Sequence, residues 1–289
     1  MPIITNMGLF DFFSNKKHVG ILGCGWLGKQ LLEILKTENK YHILGSTTKV
    51  ENKELLENLG CDEVIIGSLV PNWTGENDLK DVLSKLDYLV LDFPPLKSTD
   101  EYAHANQLSE ILKNLNTSTK VIYTSSTAIY KETGRIMLES DIKEVSDAAS
   151  LKIYYAEEVL KTQLNERVTI LRCAGLTGKN RNLAKFFAGK TSLEGGSIPV
   201  NLVHGSDASR AILHCIEKNI WGKTYNVVAP FHPNKKTYYT DLCLKSNLSK
   251  PEFSDIVETI KYKEINGDLF IKETGFSYTF EDPMLFTYE

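Results

Sequence analysis

Short apolar runs alternate with stretches of helical spacing along most of this chain, and the alternation predicts a regular series of strands and helices. Val19–Leu22 reads as a buried strand, and from Trp26 onward apolar residues recur at helical intervals. Tyr41–Ser46 and Glu63–Gly67 follow as a second and a third strand, with a helix over Asn52–Leu59 between them. A helix near Asn77–Leu86 leads into the strand Tyr88–Phe93, which Pro94 and Pro95 stop. Asp100–Leu115 is the next helix, and Val121–Ser125 is a fifth strand. After an irregular, charged segment, Ala148–Leu164 is helical and Val168–Arg172 is a sixth strand.

This succession predicts an α/β fold with a parallel, doubly wound sheet. The later chain is looser. Gly189–Pro199 reads as a Gly/Ser loop, Ser206 or Asp207 is placed to cap a helix running to about Lys218, and Thr224–Val228 reads as a further strand. Beyond Phe231 a helix near Thr237–Ser246 and the ending Phe276–Phe280 suit a smaller C-terminal lobe that faces a substrate. The expected organisation is an extension over 1–17 carrying the aromatic cluster Leu9–Phe13, a nucleotide domain over 18–230, and a substrate-facing lobe over 231–289. Some substrate contacts are expected from 175–205.

The junction of the first strand and helix reads Gly23-Cys24-Gly25-Trp26-Leu27-Gly28, a G-x-G-x-x-G sequence. The first glycine permits the turn, the second lets a pyrophosphate approach the backbone, and the third lets helix and strand lie close. Free N–H groups and the positive end of the helix dipole then face the phosphates. Strand, turn and helix in this order predict a Rossmann-type dinucleotide site. An acid about 20 positions beyond the glycines ordinarily binds the adenosine ribose. Here that place reads Ser46-Thr47-Thr48-Lys49, with no acid before Glu51, so the two hydroxyls and the lysine favour NADP(H) over NAD(H). The same residues also suit an ordinary solvated turn. Phe93, Pro94 and Pro95 at the end of the fourth strand, and Ser125 at the end of the fifth, complete the expected cofactor contacts.

Composition narrows the partners. Of 289 residues 42% are hydrophobic and 24% charged, and no apolar run approaches a bilayer span, so no membrane association is expected. A formal charge of −4 without a basic block argues against nucleic acid. The five cysteines are scattered and form no C-x-x-C pair, which suggests a reducing compartment and no structural zinc. No cluster has metal-ligand spacing. Without a signal-peptide pattern at the start, a cytoplasmic protein is expected, with a small-molecule substrate and room for a homo-oligomer. Cys24 reads either as a small residue filling the turn or as a thiol activated by the helix end.

Several motifs in order resemble the extended short-chain dehydrogenase/reductase superfamily, in its NAD(P)-dependent epimerase/dehydratase branch, which includes the nucleoside-diphosphate-sugar epimerases. They are the glycine turn, Tyr123-Thr124-Ser125-Ser126-Thr127-Ala128-Ile129-Tyr130, Leu171–Gly178, Val200–Asp207 and Tyr225-Asn226-Val227. Gly-Cys-Gly-Trp-Leu-Gly and Ala229–Pro233 look most like an atypical subgroup. The resemblance implies an oxidoreductase or epimerase acting by hydride transfer, with a tyrosine exchanging a proton and a nearby lysine lowering its pKa. It places the substrate-supporting hydroxyl at Ser126, with Thr127 as the alternative.

The Tyr-x-x-x-Lys pair does not carry over. Aligning the family's Ala-Glu step with Ala156-Glu157 puts Ala149 at the tyrosine and Ile153 at the lysine. Lys152 and Tyr155 stand three residues apart on one predicted helix and read either as a substitute pair in reversed order or as a tyrosine that packs against the sheet or cofactor; Tyr130 is a further phenol near the expected site. Ser126, Tyr155 and Tyr130 are thus the catalytic candidates. Asn180-Arg181 reads equally as a phosphate contact or a solvated loop, and Asp207 as a helix cap. The alternative to an enzyme is a catalytically silent NADP(H)-sensing binding module.

Overall fold

The computed structural model describes residues 16–68, 74–75, 79–95, 97–254 and 261–288. The aromatic cluster Leu9–Phe13 lies outside them, as do Asn77 and Asp78 at the start of the third helix of the sequence pattern. In chain order the elements begin with β1 (Lys17–Leu22), α1 (Trp26–Glu38), β2 (Tyr41–Thr47), α2 (Lys53–Leu59) and β3 (Glu63–Ile66). Then come α3 (Leu79–Leu83), β4 (Tyr88–Leu91), α4 (Ala103–Leu112), β5 (Lys120–Ser126), β6 (Arg135–Met137) and α5 (Leu151–Leu164). The remainder is β7 (Val168–Cys173), β8 (Gly175–Thr177), β9 (Leu202–His204), α6 (Gly205–Glu217), β10 (Thr224–Val227), α7 (Lys235–Lys245), β11 (Lys263–Ile265) and α8 (Asp268–Thr274).

Seven strands form one sheet in the order β10-β7-β5-β4-β1-β2-β3, and every pairing in it is parallel. The period of two along each strand sorts its side chains between two cores. Ile21, Val90, Ile122 and Leu171 pack with α1 and α6, through Leu31, Leu35, Ala208 and Ile212. Leu22, Leu91, Val121 and Ile170 pack with α4 and α5, through Leu108, Ile111, Ala156 and Leu160. This is the doubly wound arrangement that the sequence pattern predicts. From β1 the chain goes first to β2 and β3, then returns to β4 on the other side. The crevice at the carboxyl ends of β1 and β4 is therefore the switch point where such sheets hold ligands.

The helix α1 shows how sequence produces this placement. Leu27, Leu31, Leu32 and Leu35 recur at helical spacing and are all buried, each contributing roughly 2 kcal/mol by its burial. Asn39, at φ 49°, adopts the left-handed conformation that ends the helix. At its other end Gly25 precedes Trp26 without a side-chain cap, and the first turn holds no acid.

The pattern missed β6, β8, β9 and β11, each three residues long and too short to display a period. They pair in parallel as β6 with β11 and β8 with β9. The cap of α6 is corrected: it is His204, whose Nδ1 accepts the Ser206 N–H, rather than Ser206 or Asp207. Buried Asp207 instead accepts the N–H groups of Thr279 (2.9 Å) and Phe280 (2.8 Å) and pairs with Arg210. Likewise α7 begins at Lys235, two residues before its expected start, because Asn234 accepts the Thr237 N–H. Phe270, Phe276 and Tyr278 join the core beside β10, while Tyr238, Leu242, Phe253 and Phe286 form a third cluster with Val200 and Leu202.

Candidate functional site

The turn after β1 is held by its protein neighbours. The Gly23 N–H donates to Ser46 Oγ in β2 (2.9 Å), and the Cys24 N–H to the Ser46 carbonyl (3.1 Å). Gly23 has φ +100°, and a Cβ there would lie 2.1 Å from the Asp92 carbonyl oxygen. A Cβ on Gly28 would lie 2.8 Å from the Gly23 carbonyl oxygen. Conformation and packing thus require these two glycines. Gly25 is different: the nearest atom to its missing Cβ is 3.9 Å away, so the side chain is absent where the space is open. That space is a cradle at the N-terminus of α1, whose free N–H groups and dipole favour an anion.

Two cavities meet at Gly25, Phe93 and Pro94. The first, about 360 Å³, is lined by Gly23, Ser46, Thr47, Thr48, Lys49 and Asn52 among others. The second, about 510 Å³, is lined by Trp26, Leu27, Pro95, Ser125 and Ser126 together with Asp92, Thr124 and Arg181. Most of the residues expected at a cofactor therefore stand along one trough at the carboxyl edge of the sheet. Gly28 lies beneath it, and its N–H reaches the Asp92 carboxylate. The Cys24 thiol is buried and donates to the Ile21 carbonyl; its bond to Cys61 is the main cause pushing the Cys61 thiol up.

Three successive hydroxyls end β5, and each has a different task. Thr124 Oγ1 donates to the Asp92 carboxylate (2.7 Å), with the Leu91 carbonyl at 3.0 Å. Ser125 Oγ donates to Glu157 Oε1 (2.6 Å). Ser126 Oγ accepts the Ala128 N–H (3.1 Å), which leaves its own proton uncommitted among the described residues. Thr127 is buried outside both cavities. Asp92 is half-buried, and burial pushes its carboxyl up to about 6 against the pull of Thr124 and the Gly28 N–H.

Behind this row lies a fully partnered network. Arg172 in β7 donates to Glu157 of α5 through Nη2 (2.7 Å) and Nε (3.0 Å), and through Nη1 to the Tyr130 hydroxyl (2.7 Å). Tyr130 in turn donates to Asn226 Oδ1 (2.7 Å), and burial pushes its phenol up to about 12. Tyr155 stacks on Tyr102 with ring centroids 4.2 Å apart, and its hydrogen bond with Tyr102 raises its pKa. Lys152 donates to the Ser98 carbonyl. Neither Tyr130 nor Tyr155 lines the second cavity; Ile153, at the place of the family lysine, does. Ala149, at the place of the tyrosine, borders a third cavity of about 1130 Å³.

Sequence reasoning passed over Asp92, Thr124, Asn52 and Gln107 as site residues, and all four line these cavities. A signal for Asp92 was available, since it follows a strand that adjoins the switch point. The Arg181 guanidinium lies over the Trp26 ring, 5.2 Å from its centroid, while Trp26 Nε1 donates to the Lys179 carbonyl (2.7 Å).

No protein-family model matches the chain. It is 30% identical over 277 residues to Protein YeeZ of Escherichia coli (strain K12), an alignment that covers 94% of this chain and the whole of that protein. The chain belongs to the YeeZ family. Among solved structures, this YeeZ-family chain is similar to a functionally unknown conserved protein from Silicibacter pomeroyi DSS, with a TM-score of 0.74 and 17% identity. That match covers 93% of this chain and 96% of the other. It is also similar to UDP-glucuronic acid 4-epimerase from Bacillus cereus in complex with NAD, at a TM-score of 0.74 and 16% identity, covering 94% and 97% of the two chains. The YeeZ-family fold is thus shared with NAD-dependent sugar epimerases and dehydratases.

The expectation of NADP(H) over NAD(H) is overturned by structures of the same fold that hold NAD, the UDP-glucuronic acid 4-epimerase among them. The segment expected to bind a 2′-phosphate also has other partners. Thr47 Oγ1 accepts the Lys49 N–H (3.2 Å) and Asn52 Nδ2 (3.3 Å), and the Lys49 ammonium stands 4.0 Å from the Glu51 carboxylate. That carboxylate would repel a phosphate.

Proposed function

We propose that this chain binds NAD(H) along the trough and acts by hydride transfer on a small polar substrate, a nucleotide sugar or a related hydroxyl or carbonyl compound. The observation that carries the reading is the cradle at Gly25, where two cavities meet at a helix N-terminus whose N-cap residue has no side chain and whose first turn holds no acid. The adenosine half of the cofactor fits the cavity along Ser46–Lys49, and the nicotinamide half fits the one lined by Phe93–Pro95 and Ser125. When bound, the nicotinamide supplies the hydride chemistry. Ser126 orients the substrate oxygen with its uncommitted hydroxyl proton. Tyr130 serves in this reading to hold Arg172 and Asn226 in register, not to exchange a proton.

Titration with NADH and NADPH, followed by energy transfer from protein aromatics to the reduced nicotinamide, tests the cofactor. NADH binding is expected, and a folded sample that binds neither overturns the reading. A screen of nucleotide sugars, aldehydes and ketones at the nicotinamide absorbance band tests the chemistry. With a substrate in hand, Ser126→Ala is expected to lower kcat roughly 100-fold while NADH affinity stays unchanged; an unchanged kcat would remove Ser126 from the mechanism.

Ile153 favours a second reading, a catalytically silent NAD(H)-sensing binding module, because an apolar side chain stands in the cavity wall where the family's lysine would be. Pull-downs with and without NADH separate the two readings. A partner retained only with NADH, together with no turnover across the screen, supports the module; turnover or identical partners count against it.

A further inference from the structure

Asp92 has no place in the chemistry proposed above, yet it is the carboxylate that lines the second cavity. It stands directly after β4, its N–H donating to the Leu22 carbonyl (2.8 Å), so the sheet fixes its backbone at the switch point. One carboxylate oxygen accepts Thr124 Oγ1 (2.7 Å), and a Cβ on Gly28 would come within 3.4 Å of the other. The carboxyl group thus lies against the first turn of α1, under the Gly25 cradle. Among the described residues no lysine, arginine or histidine forms an ion pair with it. An anion seated at the helix end would be close to a carboxylate that no cation neutralises, and two like charges in so enclosed a place disfavour joint ionisation.

We propose that Asp92 is a cofactor-binding residue that acts as the neutral acid, taking up one proton as the diphosphate of the dinucleotide settles at the N-terminus of α1. This rests on the dinucleotide reading of the trough. The protonated carboxyl gains an O–H donor on Oδ2 that it can offer to an oxygen of the cofactor, while Oδ1 keeps the Thr124 donor. No bond is made or broken except to the proton, which comes from solvent. Burial has already brought the free carboxyl up to about 6, so the uptake lies within reach near neutrality.

Other titratable groups around Asp92 do not reproduce this behaviour. On β7, Cys173 is pushed up to about 12, first by burial and then by the charge of Asp92, and Tyr123 on β5 is raised well beyond its ordinary value. Both stay neutral. His104 on α4, bonded to Gln107 and to the Tyr123 hydroxyl, is lowered by burial, which favours its neutral form. The Cys24 thiol in the glycine turn donates to the Ile21 carbonyl, and the Arg181 guanidinium after β8 lies over the Trp26 ring, 5.2 Å from its centroid.

Full NADH affinity is then present below about pH 6 and falls as Asp92 ionises, by at most tenfold for each pH unit. The test is NADH titration between pH 5.5 and 8 of the intact protein and of Asp92→Asn, an isosteric neutral side chain, with circular dichroism to check the fold of each. The wild type is expected to weaken roughly 10- to 100-fold over that range, and calorimetry at pH 7.5 in buffers of different ionisation enthalpy should show uptake of about one proton. Asp92→Asn should bind with affinity flat to about twofold and without proton uptake. A variant with the wild-type pH slope, or a wild type that binds NADH equally at every pH, overturns the proposal and leaves the cofactor site standing. A folded wild type that binds NADH at no pH fails the cofactor site itself. Should Asp92→Asn not fold, the proton count of the wild type decides: no uptake refutes the proposal.

Discussion

The buried Glu157 and the half-buried Asp92 stand on opposite sides of β5, each accepting a bond from one of its hydroxyls, and they differ in what answers their charge. Glu157 has Arg172 at 2.7 Å, Ser125 at 2.6 Å and Lys161 at 3.7 Å. Asp92 has Thr124 and one backbone N–H, and its carboxyl is pushed up to about 6. A charge enclosed with its partner becomes part of the framework, since removing either member strands the other. A charge enclosed without one stays adjustable and faces the ligand space. Tyr130, a catalytic candidate of the sequence, belongs to the first kind of environment; the residue in the second kind is an aspartate that motif reading passes over.

This contrast is broken most severely at the framework. Glu157→Gln is expected to cost about 3–5 kcal/mol, because Arg172 would be left buried without its counter-charge. Denaturant unfolding measures it, and a loss under about 1 kcal/mol would mean that the pair contributes little to the framework. Asp92→Asn should act in the opposite direction. Its carboxyl binds a proton more tightly in the folded chain, at about 6, than at the ordinary 3.8, so stability falls as pH rises through that window. The difference corresponds to roughly 3 kcal/mol, which the variant recovers at pH 7 and not at pH 3.5. Thermal unfolding at both pH values checks the sign.

Smaller effects sharpen the distinction within the glycine turn and on α5. Gly25→Ala meets no atom nearer than 3.9 Å, so its stability should change by less than about 1 kcal/mol while NADH affinity falls roughly tenfold or more. Equal NADH binding by the variant would show that the cradle is not where the diphosphate sits. Tyr155→Phe should leave turnover within about twofold, since its ring packs on Tyr102 and lines neither cavity of the trough. A tenfold loss would restore Tyr155 and Lys152 as a working pair.

The fold was readable because its signals are local. Runs such as Val19–Leu22 and Val168–Cys173, the leucines of α1, and the glycines of the first turn declare strand, helix and turn within windows of a few residues. Apolar periodicity and the need to bury it on both faces suffice for a parallel doubly wound sheet, and the G-x-G-x-x-G spacing suffices to mark its carboxyl edge. The cofactor preference failed where it depended on side-chain partners: a Thr-Thr-Lys sequence does not reveal that Thr47 bonds back to its own loop or that Lys49 stands by Glu51.

What the sequence by itself determined, then, is the order of the elements, the face each buries and the place of the glycine turn, all consequences of spacing along one stretch of chain. The tertiary structure alone decided the environments. Asp92 meets Thr124 across 32 residues, Glu157 meets Arg172 across 15, and Tyr130 meets Asn226 across 96. Whether a carboxylate is neutralised or a hydroxyl proton left free depends on groups that only the folded sheet brings within hydrogen-bond reach, and so on the dielectric and partners that folding creates.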